Sequence, residues 1–422
     1  MMSASNKKRY LIFLVFSCAA TFLFCAALGQ YEQFSLQAES VHVRVKGSVL
    51  AIESIIVNLD NSLKYGGAVT DAAISNEAEN QTVTGILNRT SALRVLTVYG
   101  DPALFYHAAF VAGAYPLHGD EIGCALDEQA AYLLFGSLDA VGNTLHYEGN
   151  AYLVRGVFSG MDGVMVVQSG EKSARAFQAA AFRVSKGANG KEAVSTFLYG
   201  SLGVGDVIVD LPFVATLIKA LSLLPAFAMI VLLFIRMMSG AYRLRKTPLH
   251  SLSAIAATIL YTMLLLYGAD IPISIPERFI PTKWSDFAFW SRLVAQAKES
   301  VAEIRSLSPL FGDLLRVNSA LGCAIFSCAS VGFFISAYAI RPNFTARQWF
   351  YSVFIILMVT FISLLIVSKT NAVVVESKRA IFVTWPMVLT CISMMDHYMV
   401  KNLRASDKGN RNSKPSERHR VL

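Results

Sequence analysis

Six apolar runs, each close to the length at which a helix crosses a bilayer, constrain this chain more than any other feature. About 20 apolar residues span the ~30 Å of hydrocarbon as a helix. The runs are Tyr10–Leu28 ("YLIFLVFSCAATFLFCAAL"), Leu211–Ile235, Ser251–Gly268, Asn318–Ile340, Trp349–Ser368 and Ala380–Val400. Composition agrees: 54% of the 422 residues are hydrophobic and only 16% charged, against about 25% charged in soluble domains. The expectation is an α-helical polytopic membrane protein with about six transmembrane helices. The first run follows Lys7, Lys8 and Arg9. It is long for the core of a signal peptide and is trailed only by a weak small-residue site, "AALG", so it is read as a retained anchor. Pro225 is expected to kink the second run.

Basic residues set the orientation, because short cytoplasmic loops are enriched in Lys and Arg. Lys7–Arg9 put the N-terminus inside, and six spans return the C-terminus to the same side. The tail, "KNLRASDKGNRNSKPSERHRVL" from 401 to 422, has seven basic and two acidic residues. The loop "RMMSGAYRLRKTPLH" carries Arg236, Arg243, Arg245 and Lys246 and no acid. The loop 269–316 balances six basic residues with six acidic ones, as an outside loop can. Loop 369–379, with Lys369, Lys378 and Arg379, runs against the pattern. The net charge of +8 is therefore read as a topological bias, not as a nucleic-acid surface.

Residues 30–210 then lie outside the membrane, enough chain for one independent domain. Its segments alternate between helical and extended patterns. "SVLAIESIIVNLDNSL" has apolar residues at helical spacing, while "ALRVLTVYG" and "AFRVSK" read as strands. "LDEQAAYLLFG" reads as a helix stopped by Gly136, since glycine accepts the left-handed conformation at a helix end. "NTLHYEGNAYLVRGVF" reads as two strands around Glu148-Gly149-Asn150, residues suited to a tight hairpin turn. The expected result is one mixed α/β extracytoplasmic domain inserted between the first and second transmembrane helices.

Catalytic and metal signatures are absent from the sequence. It has no G-x-x-x-x-G-K-[ST] phosphate loop and no G-x-S-x-G elbow. Of six cysteines, five lie in apolar runs and Cys124 alone in the outside region, so no internal disulfide framework is expected there. His118, Asp120 and Glu121 gather in "VAGAYPLHGDEIG"; that trio could ligate a metal, but a solvated turn is the preferred reading. "SLGVGD" at 201–206 reads as a joint. Asn80 and Asn88 match N-x-[ST], which matters only on a eukaryotic secretory route. Lys219 can snorkel from the outer part of the second span. Asp396 and His397 lie near one end of the sixth, too close to the interface for a proton relay.

The stretch "VAGAYPLHGDEIGCALDEQAAYLLFGSLDAVGNTLHYEGNAYLVRGVF" (111–158) resembles the periplasmic core domain of MacB-type ABC transporter permeases, the family that includes FtsX-like permeases. Gly113, Asp120, Ala131, Leu134–Phe135–Gly136, Gly142, Gly149, Tyr152, Val154 and Gly156–Val157 fall in step with the family pattern. The resemblance covers about 50 residues strongly and about 200 in outline, and it implies a permease subunit of the bacterial cytoplasmic membrane. Such subunits dimerise, as homodimers or with a related permease, and pair with a cytoplasmic ATP-binding subunit. No cofactor is expected on this chain; ATP is expected on that partner, a separate polypeptide. The resemblance also implies that the cytoplasmic segment after the second span docks on the ATPase, which makes Arg243, Arg245 and Lys246 the candidate coupling residues. The same residues equally satisfy plain membrane topology. Two departures stand out: "SGAYRLRKTPLHSLSA" lacks the family's E-x-g-x-l-r-a-l-G phrase, and six apolar runs exceed the usual four.

The outside loop holds "IPISIPERFIPTKWSDFAFWSRL". Trp284 and Trp290 are its candidate interfacial contacts, since tryptophan concentrates where membrane meets water. A short helix lying on the outer leaflet is the preferred reading, and a contact surface for substrate or for the outside domain is the alternative. The functional expectation is a permease subunit that couples ATP hydrolysis by its partner to export or to mechanical work of the outside domain. The alternative is a membrane-anchored sensor or assembly factor with an extracytoplasmic binding domain and no transport.

Overall fold

The computed structural model describes residues 4–45, 50–171, 177–185, 187–199, 206–243, 248–268, 310–341, 346–371 and 379–382, with single residues at 288, 291, 295 and 375. The chain divides into two compact units. One comprises Met1–Glu32, Ile218–Ile280 and Leu321–Leu422; the other comprises Gln33–Leu217 and Pro281–Ala320.

The first unit is helical. Its apolar helices fall within α1 (Ala4–Leu36), α5 (Leu211–Ser222), α6 (Leu224–Arg243), α7 (Pro248–Gly268), α8 (Phe311–Ile340) and α9 (Ala346–Asn371). Asn6–Leu36, Leu315–Ile340 and Arg347–Thr370 are each long and apolar enough to cross a membrane. The second expected span is broken: α5 and α6 meet at 46°. Pro225 accounts for the break, because it has no N–H to donate and its ring crowds the preceding turn. The third expected span is represented by a shorter apolar helix, Ile255–Gly268. The sixth lies outside the described residues beyond Phe382. Inside this unit Phe24, Cys25 and Leu28 are buried with Met229, Leu265 and Phe334, and Ser330 Oγ donates to the Ala20 carbonyl at 2.8 Å. Leu260, Phe354 and Leu365 point outward, as they would toward lipid.

The second unit is mixed α/β. Among the described residues, ten strands form one sheet: β1 (Val41–Arg44), β2 (Val69–Thr84), β3 (Thr90–Tyr99), β4 (Ala109–Gly113), β5 (Gly123–Asp127), β6 (Thr144–Tyr147), β7 (Asn150–Ser159), β8 (Val164–Gln168), β9 (Ala179–Val184) and β10 (Val207–Asp210). The order is β10-β1-β9-β2-β3-β8-β5-β7-β4, and β6 pairs with both β2 and β7. The pairings β2-β3-β8-β5-β7-β6-β2 therefore close a ring, the last link being the short contact of Val83 and Thr84 with β6. Most pairs are antiparallel; β3 with β8 and β5 with β7 are parallel.

The stretch 123–159 shows how local chemistry builds this ring. Helix α3 (Glu128–Phe135) starts at Asp127, whose carboxylate accepts the amides of Gln129 and Ala130. It stops at Gly136, at φ 74°, whose amide donates to the Tyr132 carbonyl. Ala130, Ala131 and Leu134 are fully buried against Val95, Leu145 and Val157. The hairpin β6–β7 follows, with Tyr147 opposite Asn150. Its two loop residues, Glu148 and Gly149, both have positive φ, at 49° and 80°, the geometry of a type I′ turn that matches strand twist. The hairpin's first strand then reaches β2 through Val83 and Tyr147. On the far half of the sheet, helices α2 (Ile52–Lys64) and α4 (Gly190–Phe197) lay Ile52, Ile55 and Val194 into a core with Val41, Ile74 and Phe182.

Candidate functional site: the junction of strand and helix

Strand β1 is the first strand after α1, and β10 is the last before α5. These two strands are hydrogen-bonded neighbours, with Val41 opposite Asp210 and Arg44 opposite Val207. Side chains alternate along a strand. Val41 and Val43 enter the apolar core with Ile74 and Phe182, so His42 and Arg44 share the other face.

That face meets the first turns of α8, all inside the same compact unit. Arg44 Nη2 lies 3.4 Å from Asp313 Oδ2. Asp313 Oδ1 lies 3.3 Å from Arg316 Nη1, one helical turn on. Arg316 has its remaining donors engaged as well: Nε donates to the Gln37 carbonyl at 2.9 Å and Nη2 to the Phe105 carbonyl at 2.8 Å. The Gly312 amide, one of the N-terminal donors that a helix leaves unpaired, donates to Tyr106 Oη at 2.6 Å. A side chain at Gly312 would collide with the Tyr106 ring, whose atoms lie 2.9 Å from the Cβ position. Two cations thus share one carboxylate, and backbone carbonyls complete the Arg316 guanidinium. A buried charge is tolerated only with such pairing. Arg316 has a side chain 7% exposed, Arg44 one 10% exposed.

His42 completes the cluster. Its Nε2 is 2.9 Å from Ser40 Oγ and 3.2 Å from the Leu104 carbonyl, and its ring meets Phe105 edge-on. Burial, with the Arg316 and Arg44 charges nearby, holds its pKa well below the ordinary histidine value. Burial likewise raises the Tyr106 phenol, with the Glu77 carboxylate adding to the shift. These groups hold geometry; none is arranged as a nucleophile with a base. The arrangement can carry displacement: the start of α8 cannot shift without moving the β1 strand or breaking the Arg44–Asp313 and Arg316 contacts.

The sequence-expected sites fare differently. Arg245, Lys246, Trp284 and Trp290 lie outside the described residues, as does the side chain of Arg243. The "SLGVGD" joint is described only at Asp206. The trio His118, Asp120 and Glu121 is dispersed in use. Asp120 grips Arg155 through two contacts, at 2.8 and 3.3 Å. His118 stacks edge-on against Tyr99 at 4.9 Å, and the Glu121 carboxylate lies over Gly170. Among the described residues no group of three His, Cys, Asp or Glu side chains is placed to hold a metal ion. Sequence reasoning missed Arg44, Asp313 and Arg316. The available signal was the Asp313/Arg316 pair at helical i,i+3 spacing just ahead of an apolar run.

No family model matches this sequence, and no curated protein matches it. Among solved structures the chain is similar to the periplasmic region of MacB from Actinobacillus actinomycetemcomitans, at 13% identity and a TM-score of 0.36, over 44% of this chain and 94% of that one. It is also similar to the extracellular domain of the noncanonic ABC-type transporter YknZ from Gram-positive bacteria, at 12% identity and a TM-score of 0.33, over 40% of this chain and 99% of that one. These superpositions stay below a TM-score of 0.5, and the functional reading rests on the chain's own residues.

Proposed function

We propose that this chain is the membrane subunit of an ABC transporter of the MacB/FtsX-like permease type, driven by a separate cytoplasmic ATPase. The observation that carries this reading is the agreement between the 111–158 pattern and local structure. The positions in step with the permease pattern are the ones that do defined work: the Leu134–Phe135–Gly136 helix end, the Gly149 turn, and the Tyr152, Val154 and Val157 side chains of the ring's core. The setting supports it, because the domain follows an apolar helix of membrane length, Asn6–Leu36.

In this reading, movement started by the ATPase reaches the outside domain through the chain segments joined at β1, β10 and the start of α8. Packed elements transmit rigid-body shifts when they have discrete arrangements. The 46° bend at Pro225 makes the second span a poor straight rod, so the unbroken helix α8, with Asp313 and Arg316 at its outer end, is assigned the larger share of that role. Arg243, Arg245 and Lys246 are assigned the ATPase-facing contact. Export of a substrate and mechanical work on an outside partner are both outputs of such a subunit.

The test is recovery of the tagged full chain from its native membrane in mild detergent, followed by identification of partners and an ATP hydrolysis assay. A co-purifying ATP-binding subunit, with hydrolysis reduced by replacing Arg243, Arg245 and Lys246, is the expected result. A chain recovered with no ATPase, and cells indifferent to deletion of residues 236–250, would instead establish the membrane-anchored sensor or assembly factor.

A further inference from the structure

A second feature of the α/β unit has no part in the junction. Two cavities of about 910 and 790 Å³ open on its surface and share the walls Tyr99, His118 and Glu171. Each lies within the range of about 300–1,000 Å³ typical of ligand sites. They adjoin at those three residues, in a groove bordered by Ile55 and Leu59 of α2, by the ends of β3 and β8 and by the turn at 150–152.

The floor and the rim differ in chemistry. Ile55, Leu59, Phe110 and Tyr115 give the smaller cavity an apolar floor. Leu117 and Ile122, on either side of the His118–Glu121 turn, are 80% and 61% exposed. Each borders one of the two cavities, where a partner could cover it. The rim carries five carboxylates: Asp60, Asp71, Asp101, Glu121 and Glu171. No lysine or arginine lines either cavity among the described residues. Arg183 lies 3.1 Å from Asp71 and 4.0 Å from Asp101, and Arg155 is held by Asp120. Among the described residues the rim thus carries five carboxylates, two of them within reach of Arg183. Burial raises the Asp71 pKa against the pull of Arg183, and the Asp101 charge adds to the rise.

We propose that this groove docks a cationic amphipathic peptide segment, with apolar side chains on the Leu59–Phe110–Leu117 floor and Lys or Arg on the carboxylate rim. An anionic or purely polar occupant would meet repulsion at the rim or leave the floor exposed. A neutral apolar ligand would leave the carboxylates uncompensated. The proposal stands apart from the coupling to an ATPase, and its test needs no nucleotide.

The full chain is placed in nanodiscs of zwitterionic lipid, and binding of fluorescent 12-residue probes is followed by anisotropy. The probes are a Lys/Leu amphipathic peptide, its Glu/Leu counterpart and a Lys/Ser peptide. The Lys/Leu probe is expected to bind more tightly than either of the others and to weaken between 50 and 300 mM salt, as charges separated by about a Debye length become screened. The triple variant Asp60→Asn, Glu121→Gln, Glu171→Gln keeps side-chain size and should weaken that probe by about tenfold, from three exposed ion pairs. Leu117→Ser with Ile122→Ser should weaken it without changing the salt dependence. Unchanged hydrogen-exchange protection of β3 and β8 in both variants separates loss of binding from loss of fold. Equal affinity in the triple variant, or equal binding to nanodiscs without protein, would overturn the proposal.

Discussion

Asp313 is the shared anion of two buried arginines: its Oδ2 lies 3.4 Å from Arg44 on strand β1, and its Oδ1 lies 3.3 Å from Arg316 on its own helix. One carboxylate therefore fixes the start of a membrane-length helix to the strand that follows another. Removing it would take from Arg44 and Arg316 the carboxylate they share, in a place with little water.

Asp313→Ala should accordingly be more damaging than either arginine change made with a matched apolar residue. Breaking a buried pair by deleting one partner costs about 3–5 kcal/mol. The Asp313 side chain is 30% exposed, and solvent screening places the expected loss at the lower end of that range. Arg44→Met in the Asp313→Ala background should recover part of it. Hydrogen exchange at β1 in the full chain, compared across the two single variants and the double, measures the coupling; strict additivity would mean that the pair is energetically silent.

Acid should loosen the same junction. His42 has a folded pKa far below its ordinary 6.5, because burial and the Arg316 and Arg44 charges exclude the proton. The unfolded chain still binds a proton there below about 6.5. Its stabilising contribution is therefore complete above that pH and is lost as pH falls toward the depressed folded value, by up to about 1.4 kcal/mol per pH unit. The raised pKa of Asp71 and Asp127 acts in the opposite sense: above 3.8 the folded state holds protons that the unfolded state releases. His42→Phe isolates the histidine part. Thermal unfolding between pH 7.5 and 5 should be flatter in that variant, and parallel curves would exclude His42 as a source of the slope.

Asp127 ties three segments at once. Its carboxylate caps α3 through the Gln129 and Ala130 amides and accepts the Val164 amide at 2.7 Å. Asp127→Ala removes a helix cap, worth about 1 kcal/mol, and orphans a buried donor, worth about 1–3 kcal/mol. A total loss of about 2–4 kcal/mol is expected in denaturant unfolding of the full chain in detergent. A change below 0.5 kcal/mol, a size usual for surface positions, would show that water replaces the carboxylate.

The hairpin turn gives a cleaner backbone test. Gly149 has φ 80°, and a Cβ there would meet nothing within 4 Å. Gly149→Ala should cost about 1–2 kcal/mol from left-handed strain alone. Protection of Tyr147 and Asn150 amides is the readout, and an unchanged value would contradict the type I′ geometry.

Cys124 should be chemically silent. It is fully buried in the ring, and burial pushes its thiol up to about 12. Thiolate is the reactive form. In a background with the other five cysteines replaced by serine or alanine, maleimide at pH 8 should label Cys124 only after denaturation.

The sequence was legible where local chemistry decides structure. The Gly136 stop and the Glu148-Gly149 turn each leave a residue signature over a few positions, and the α3–β6–β7 segment follows it. Strand β2 was not legible. Its second half, "NEAENQT", is polar, has no clean alternation and includes a register shift between Ala78 and Gln81 with Asn80 at φ 54°. It is a strand because β3 pairs with it, which is a tertiary fact. Strands β5 and β8, five buried residues each, are too short for a period to show. The junction was hidden for another reason. The bonds of Gly312 and Arg316 to Tyr106, Gln37 and Phe105 join residues 206 to 279 positions apart, and Arg316, counted at the edge of an outside loop, looked like one more solvated charge. The six apolar runs were visible as composition, but the break at Pro225 shows that an apolar run need not be one straight helix.

The pairing of β1 with β10 has a consequence for how such a chain could have come about. A domain whose entry and exit strands lie side by side behaves as a cassette: its two ends, Val41 and Asp210, stay a strand spacing apart and can be joined or exchanged together. Diversity outside the membrane could then accumulate by replacement of the whole inserted body, with the helical part left to change at its own pace.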